Sequence, residues 1–157
     1  MSLALSQLCL DCGLCCDGTL FRYVAINGSE REELVRLGIG VGENRKGEVM
    51  WLPCGKLAGK CCTIYEARPG GCRRFVCALG KRLEAKEVSL EEAKAQVVEM
   101  QAKIATLKAL LPPSDEPVLR QARAHIDSTT SQVNEAQLKA FQAVEDQRYA
   151  VFMPPPA

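Results

Sequence analysis

The apolar positions divide the chain into two halves of different character. In the first half they come in short bursts. Leu20–Ile26 is rich in aromatic and β-branched residues and predicts a strand, ended by an Asn27-Gly28 turn. Ser29 and Glu32 have capping-box spacing, so a short helix is expected from Ser29, with Leu34 and Leu37 on one side and Gly38 as its stop. Residues 38–47 are glycine-rich and read as loop, and Glu48–Leu52 predicts a second strand closed by Pro53. Residues 1–8 read as a short helical or irregular lead-in. Residues 9–18 read as a loop in which Gly13 and Gly18 permit tight turns. Residues 54–77 are loop-rich, with a short helix expected from Cys72.

The second half keeps a sevenfold period. Leu90, Val97, Ile104 and Leu111 recur every seven residues, and Ala93, Met100 and Leu107 repeat beside them, offset by three. A Ser89/Glu92 capping box precedes this helix, and Pro112-Pro113 ends it. Pro117 opens a second helical stretch to about Tyr149, with Leu119, Ile126 and Val133 on one side. Ser128–Ser131 is its weak point, and Asn134 suits a fresh cap. The expected fold is α+β. It comprises a small irregular cysteine-rich metal-binding domain over 1–80, an α-helical hairpin over 81–150 and a flexible tail over 151–157. The heptad seam serves either packing within the chain or dimerisation. A protein partner or homodimer through the hairpin is therefore expected.

Composition narrows the classes. With 157 residues and 47% apolar content, one domain with an appended helical piece can bury a core. Residues 1–80 carry ten Lys/Arg against eight Asp/Glu, net +2, and residues 81–157 carry ten against eleven, net −1. Neither half has a nucleic-acid binder's basic footprint, and no stretch has the length of a membrane span. The N-terminus lacks the positive start of a signal peptide, so a cytoplasmic chain is expected. Reducing thiol pools there disfavour structural disulfides.

That setting gives the cysteines their meaning. All nine lie in the first half, as Cys9, Cys12, Cys15 and Cys16, then Cys54, Cys61, Cys62, Cys72 and Cys77. An odd number suits a disulfide framework poorly. We expect the two runs to fold onto each other around metal. Cys9, Cys12 and Cys15 match the first three ligands of a ferredoxin-type run without its Cys-Pro, so a fourth ligand would come from the second run. The same pairs suit a four-cysteine zinc site, and thiolates serve both metals. In extended backbone the members of the doublets Cys15-Cys16 and Cys61-Cys62 point opposite ways. Either two sites flank each strand, or one member ligates and the other packs. Nine cysteines supply two four-thiolate sites with one left over. Arg68, Arg73 and Arg74 lie among them and either offset the thiolate charge, hold an anionic ligand, or stand solvated or paired with Glu66. Tyr65, Glu66 and Asp11 are the nearby groups for proton chemistry. His125 is the one histidine, on a helix, and reads as a surface or packing residue. An iron site of two histidines and a carboxylate therefore cannot form within one chain.

The runs Cys9-x2-Cys12-Gly-x-Cys15-Cys16 and Cys62-x-Ile64-Tyr65-x2-Arg68-Pro69-x2-Cys72-Arg73-x-Phe75, with Pro53-Cys54 between them, resemble a known group. It is the YkgJ-type cysteine-cluster proteins, the CxxCxxCC family of zinc- or iron-chelating domains. The resemblance covers about 70 residues, Cys9 to Cys77, and none of the helical half. It implies Cys9, Cys12, Cys15, Cys16, Cys54, Cys62 and Cys72 as metal ligands, adds Cys77 through a Cys-Arg-x-Phe-x-Cys ending, and leaves Cys61 as the spare. The implied cofactor is an iron–sulfur cluster, 4Fe-4S foremost, or zinc. Flagellin lysine methylases look similar in carrying such a cluster within a larger chain. This sequence has no length for a methyltransferase domain beside the cluster, so methylation by it alone is not expected. Three readings stand. The first is a redox or accessory metal-binding module with a partner. The second is a small iron-dependent oxidoreductase or protein-modification enzyme. The third is a purely structural zinc module.

Overall fold

The computed structural model describes residues 2–128 and 133–153. The expected break at 129–131 and the tail from 154 lie outside them. The fold is α+β, and the chain divides into two compact units, Ser6–Val76 and Met1–Leu5 with Cys77–Ala157. The division falls within the first helix, α1 (Leu3–Cys12), and again just before Cys77.

In the cysteine unit, α1 is followed by turns to Gly18, strand β1 (Tyr23–Ala25), helix α2 (Gly28–Arg36), and strands β2 (Val41–Asn44) and β3 (Gly47–Trp51). The sheet is antiparallel with order β1-β3-β2, and Met50 pairs with Val24 on one side and Val41 on the other. That row of apolar residues belongs to a core with Leu34, Ile39 and Leu52. Two short strands, β4 (Leu57–Ala58) and β5 (Cys61–Cys62), pair antiparallel, and a single-turn helix α3 (Gly70–Arg74) follows.

Three expectations are corrected here. The helix of the lead-in, α1, runs on through Cys9 to Cys12, so the cysteine loop expected from residue 9 starts at Gly13. The cap of α2 is Asn27, not Ser29. Its side chain accepts from the Glu30 amide at 3.0 Å, while Glu30 Oε2 accepts from the Asn27 amide at 3.0 Å. Asparagine caps as well as serine, and this earlier box leaves Ser29 inside the helix. The glycine-rich loop contains β2, whose Val-Gly-Glu-Asn lacks strand character and forms by pairing with β3. A Cβ at Gly42 would stand 2.6 Å from Trp51 Nε1, so a larger residue there would displace the indole.

The helical unit contains α4 (Ala78–Glu84), α5 (Leu90–Ala109), α6 (Val118–Ser128), α7 (Glu135–Gln147) and a π-helical turn, Arg148–Phe152. The Ser89/Glu92 box caps α5 as expected. The second helical stretch is two helices, α6 and α7, the latter begun by an Asn134/Gln137 capping box. Side-chain amides of α7 reach α5 backbone, Gln137 to Leu110 O at 2.8 Å and Gln147 to Gln96 O at 3.3 Å, so these helices run antiparallel. Ala93, Val97, Met100 and Leu107 of the heptad seam are buried with Leu79, Ala122, Val144 and Phe152. The seam packs within its own unit. No helix among the described residues is long and apolar enough to cross a membrane.

Candidate metal centre

Backbone contacts draw the two cysteine runs together. Gly13 (φ +70°) turns the chain out of α1, and a Cβ there would stand 3.0 Å from Lys60 O and 3.2 Å from Lys60 Cα. Only glycine combines that dihedral with that approach. The turn continues with Cys16 N–H donating to Gly13 O at 2.9 Å, and Gly18 (φ +86°) completes it. Cys54 N–H then donates to Cys16 O at 2.7 Å. The first run thus meets both Cys54 and the β4–β5 hairpin.

Four sulfurs share one neighbourhood, one from each doublet and two single cysteines. Cys54 is buried in the apolar core, and Cys16 and Cys72 pack against the same cluster beside Ile64. Burial pushes the Cys16 thiol from the ordinary 9.0 up to about 12, with further upward push from Cys62, Cys54, Cys72 and Asp17. Cys72 is raised to about 11 by burial first, then by Cys54 and Cys62, against the opposing pull of Arg68. Cys62 is raised too, by burial foremost, with Cys54 acting on it in the same direction. Each of these thiols resists becoming a second anion beside its neighbours.

One doublet separates as its backbone requires. Cys61-Cys62 is the strand β5, where Cys61 is exposed and Cys62 is the half-buried member. The premise of extended backbone does not hold for Cys15-Cys16, which sits in the turns after α1. Cys9 and Cys12 stand three apart on α1, one above the other on a helix face. They are half-buried, as is Cys15. Cys77 belongs to the helical unit, where its sulfur caps α4 by accepting from Gly80 N–H at 3.3 Å. Burial raises its thiol, and the groups opposing that are amides, not thiols.

The arginines also divide. Arg68 is fixed beside the quartet. Its Nε donates to Tyr65 O at 2.7 Å, and its guanidinium lies 3.4 Å from the Tyr65 ring centroid. It favours the ionised forms of Cys62 and Cys72. Arg73 and Arg74 end α3 and act on Glu30. That carboxylate, rather than Glu66, is their acidic neighbour. Partial burial works to raise Glu30, but amides of Gly70 and Asn27, then Arg74 and Arg73, outweigh it and hold the group below the ordinary glutamate range. His125 lies on α6 with Nε2 3.4 Å from Gln137 Nε2, a packing position in the helical unit.

Among the described residues, no three His, Cys, Asp or Glu side chains form a ready-made cage. The donor chemistry of Cys16, Cys54, Cys62 and Cys72 nonetheless fits a soft cation, with four partly desolvated thiols and a guanidinium beside them. Sequence reasoning missed Glu30 and the contacts of Gly13, Gly70 and Gly71. The Asn27-x-x-Glu30 spacing was the available signal for Glu30. The contacts of Gly13 with Lys60, of Gly70 with Glu30 and of Gly71 with Val24 span 40 residues or more and leave no local mark.

A family model described as "CxxCxxCC: putative zinc- or iron-chelating domain" matches residues 8–103. The match extends past the cysteines through most of α5, further than the motifs reach. No curated protein and no solved structure matches the chain.

Proposed function

The chain belongs to the CxxCxxCC family, and from that premise we propose that it is a metal-binding module whose zinc or iron is held by the thiolates of Cys16, Cys54, Cys62 and Cys72. The observation that carries this reading is the meeting of Cys16, Cys54 and Cys72 at one apolar cluster, with Cys62 acting electrostatically on Cys16 and Cys72. Burial first, and neighbouring thiols after it, disfavour the ionisation of Cys16, Cys62 and Cys72, and a divalent cation reverses that preference by replacing protons. Bound metal supplies folding energy to this unit and, as iron or an iron–sulfur cluster, an electron-transfer centre. The protein's own residues do the rest. Cys16 and Cys54 are fixed by the hydrogen bond between them, Cys62 by its pairing with Leu57, and Arg68 offsets the surplus negative charge. Cys9, Cys12 and Cys15 supply a second donor set with iron–sulfur ligand spacing.

The role that suits this arrangement is an accessory module acting with a partner. A surface pocket lined by Ser2, Glu84, Lys86, Glu87 and Leu90 belongs to the helical unit and contains no cysteine. Purification without oxygen, followed by zinc, iron and sulfide analysis with an absorption spectrum, tests the reading. Stoichiometric zinc or iron is expected. A protein that is metal-free as isolated and takes up neither metal on reconstitution would overturn it.

A further inference from the structure

Helix α3 carries Cys72 but cannot hold itself in place. It has five residues, and Pro69 offers no side-chain hydrogen bond to its start. One turn has too few internal bonds to be stable alone. Its first amide, Gly70 N–H, donates to Glu30 Oε1 at 2.6 Å, across forty residues of sequence. The other oxygen, Oε2, accepts from Asn27 N–H at 3.0 Å within the capping box of α2. The carboxylate is thus tied at both oxygens, one to the base of α2 and one to the base of α3. Charge-assisted bonds of this kind are stronger than neutral ones.

The opposite side of α3 is equally tight. A Cβ on Gly71 would stand 2.5 Å from Val24 Cγ1 and 2.6 Å from Ala25 O, so α3 lies directly on β1. A Cβ on Gly70 would stand 2.7 Å from Arg74 Nη1 and 3.2 Å from Glu30 Oε1. Cys72 lies on this turn, two residues after the bridged amide. Metal sites depend on outer groups that fix their ligands.

We propose that Glu30 is a positioning residue for the metal site: by bridging the Asn27 and Gly70 amides it holds α3 on β1 and sets where the Cys72 sulfur stands relative to Cys16, Cys54 and Cys62. The inference rests on the reading of that quartet as the metal site. Glu30 itself contributes no ligand atom.

Two readouts test it. In the protein as isolated, the alkylation rate of each cysteine by iodoacetamide is followed by mass spectrometry. Co(II) affinity is read separately from the thiolate-to-cobalt charge-transfer band. Glu30→Ala should alkylate Cys72 about tenfold faster, leave Cys77 unchanged, and weaken Co(II) binding by roughly 10–100-fold. Glu30→Gln keeps an oxygen for Gly70 but sets an NH2 donor against the Asn27 N–H, so it should fall between wild type and Glu30→Ala on both readouts. Unchanged Cys72 reactivity in Glu30→Ala would overturn the proposal. So would a Glu30→Gln variant as reactive as Glu30→Ala, which would make charge the cause. Should Glu30→Ala unfold the unit and raise Cys16 as much as Cys72, Glu30→Asp decides. Its shorter reach should lose the bridge, and wild-type behaviour would contradict the proposal. If Co(II) never binds but Cys72 reactivity follows this order, the metal reading fails while the positioning of Cys72 by Glu30 stands.

Discussion

The two units reach order by opposite means. In the helical unit, Ala93, Val97, Met100 and Leu107 recur at helical spacing and are all buried, and capping boxes start both α5 and α7. Local pattern and tertiary packing agree there. The cysteine unit has strands of two to five residues, and Cys54 occupies a core position among Leu34, Ile39, Met50 and Leu52. Residues suited to binding metal stand where aliphatic side chains would otherwise add stability. On the proposed reading, a unit built this way would draw stability from its cation, while the helical unit would hold without one.

Chelation should break the comparison most visibly. Removing metal should strip hydrogen-exchange protection from the Cys16 and Cys54 amides while the α5 amides keep theirs. Structural zinc contributes on the order of 10 kcal/mol in small domains. Equal loss in both units would contradict this division of labour. Next in size is the dependence on pH. The metal-free thiols of Cys16 and Cys72 sit at about 12 and about 11, above any working pH, so each gives up a proton on binding. Apparent metal affinity should therefore rise with pH, about tenfold per unit for each proton displaced, and fall in acid. A competition titration against a chelator at several pH values checks the slope, and a flat profile would count against thiolate ligation.

The smaller effects are single substitutions. Gly13→Ala combines a positive φ with a Cβ 3.0 Å from Lys60 O, and should cost roughly 1–3 kcal/mol in the cysteine unit. Protection of the Cys54 amide should fall with it, read again by hydrogen exchange. Smallest is Ser89→Ala, which removes the N-cap of α5 and should cost about 1 kcal/mol of helical-unit stability in urea unfolding without loss of bound metal.

The same contrast explains what could be read from the sequence. The heptad positions and the Ser89 cap of α5 were legible because helical order is local and periodic. The break between α6 and α7 was marked by Asn134. In the cysteine unit β1 and β3 carried their own apolar signal, whereas β2 exists only through its register with β3. The cap of α2 was misplaced by two residues because two capping-box spacings overlap there. The sequence could say that the cysteines concern metal, but not that Cys16 and Cys62 are the doublet members that approach Cys54 and Cys72. That selection depends on contacts such as Gly13 against Lys60 and Glu30 against Gly70, which join segments 40 or more residues apart.

The most direct test of the account is a cysteine-to-serine scan of metal retained through a chelator challenge. Cys16→Ser, Cys54→Ser, Cys62→Ser and Cys72→Ser should each lose most of one equivalent, while Cys61→Ser and Cys77→Ser keep theirs. If Cys61→Ser or Cys77→Ser costs as much metal as the four, the two runs do not meet at the site described.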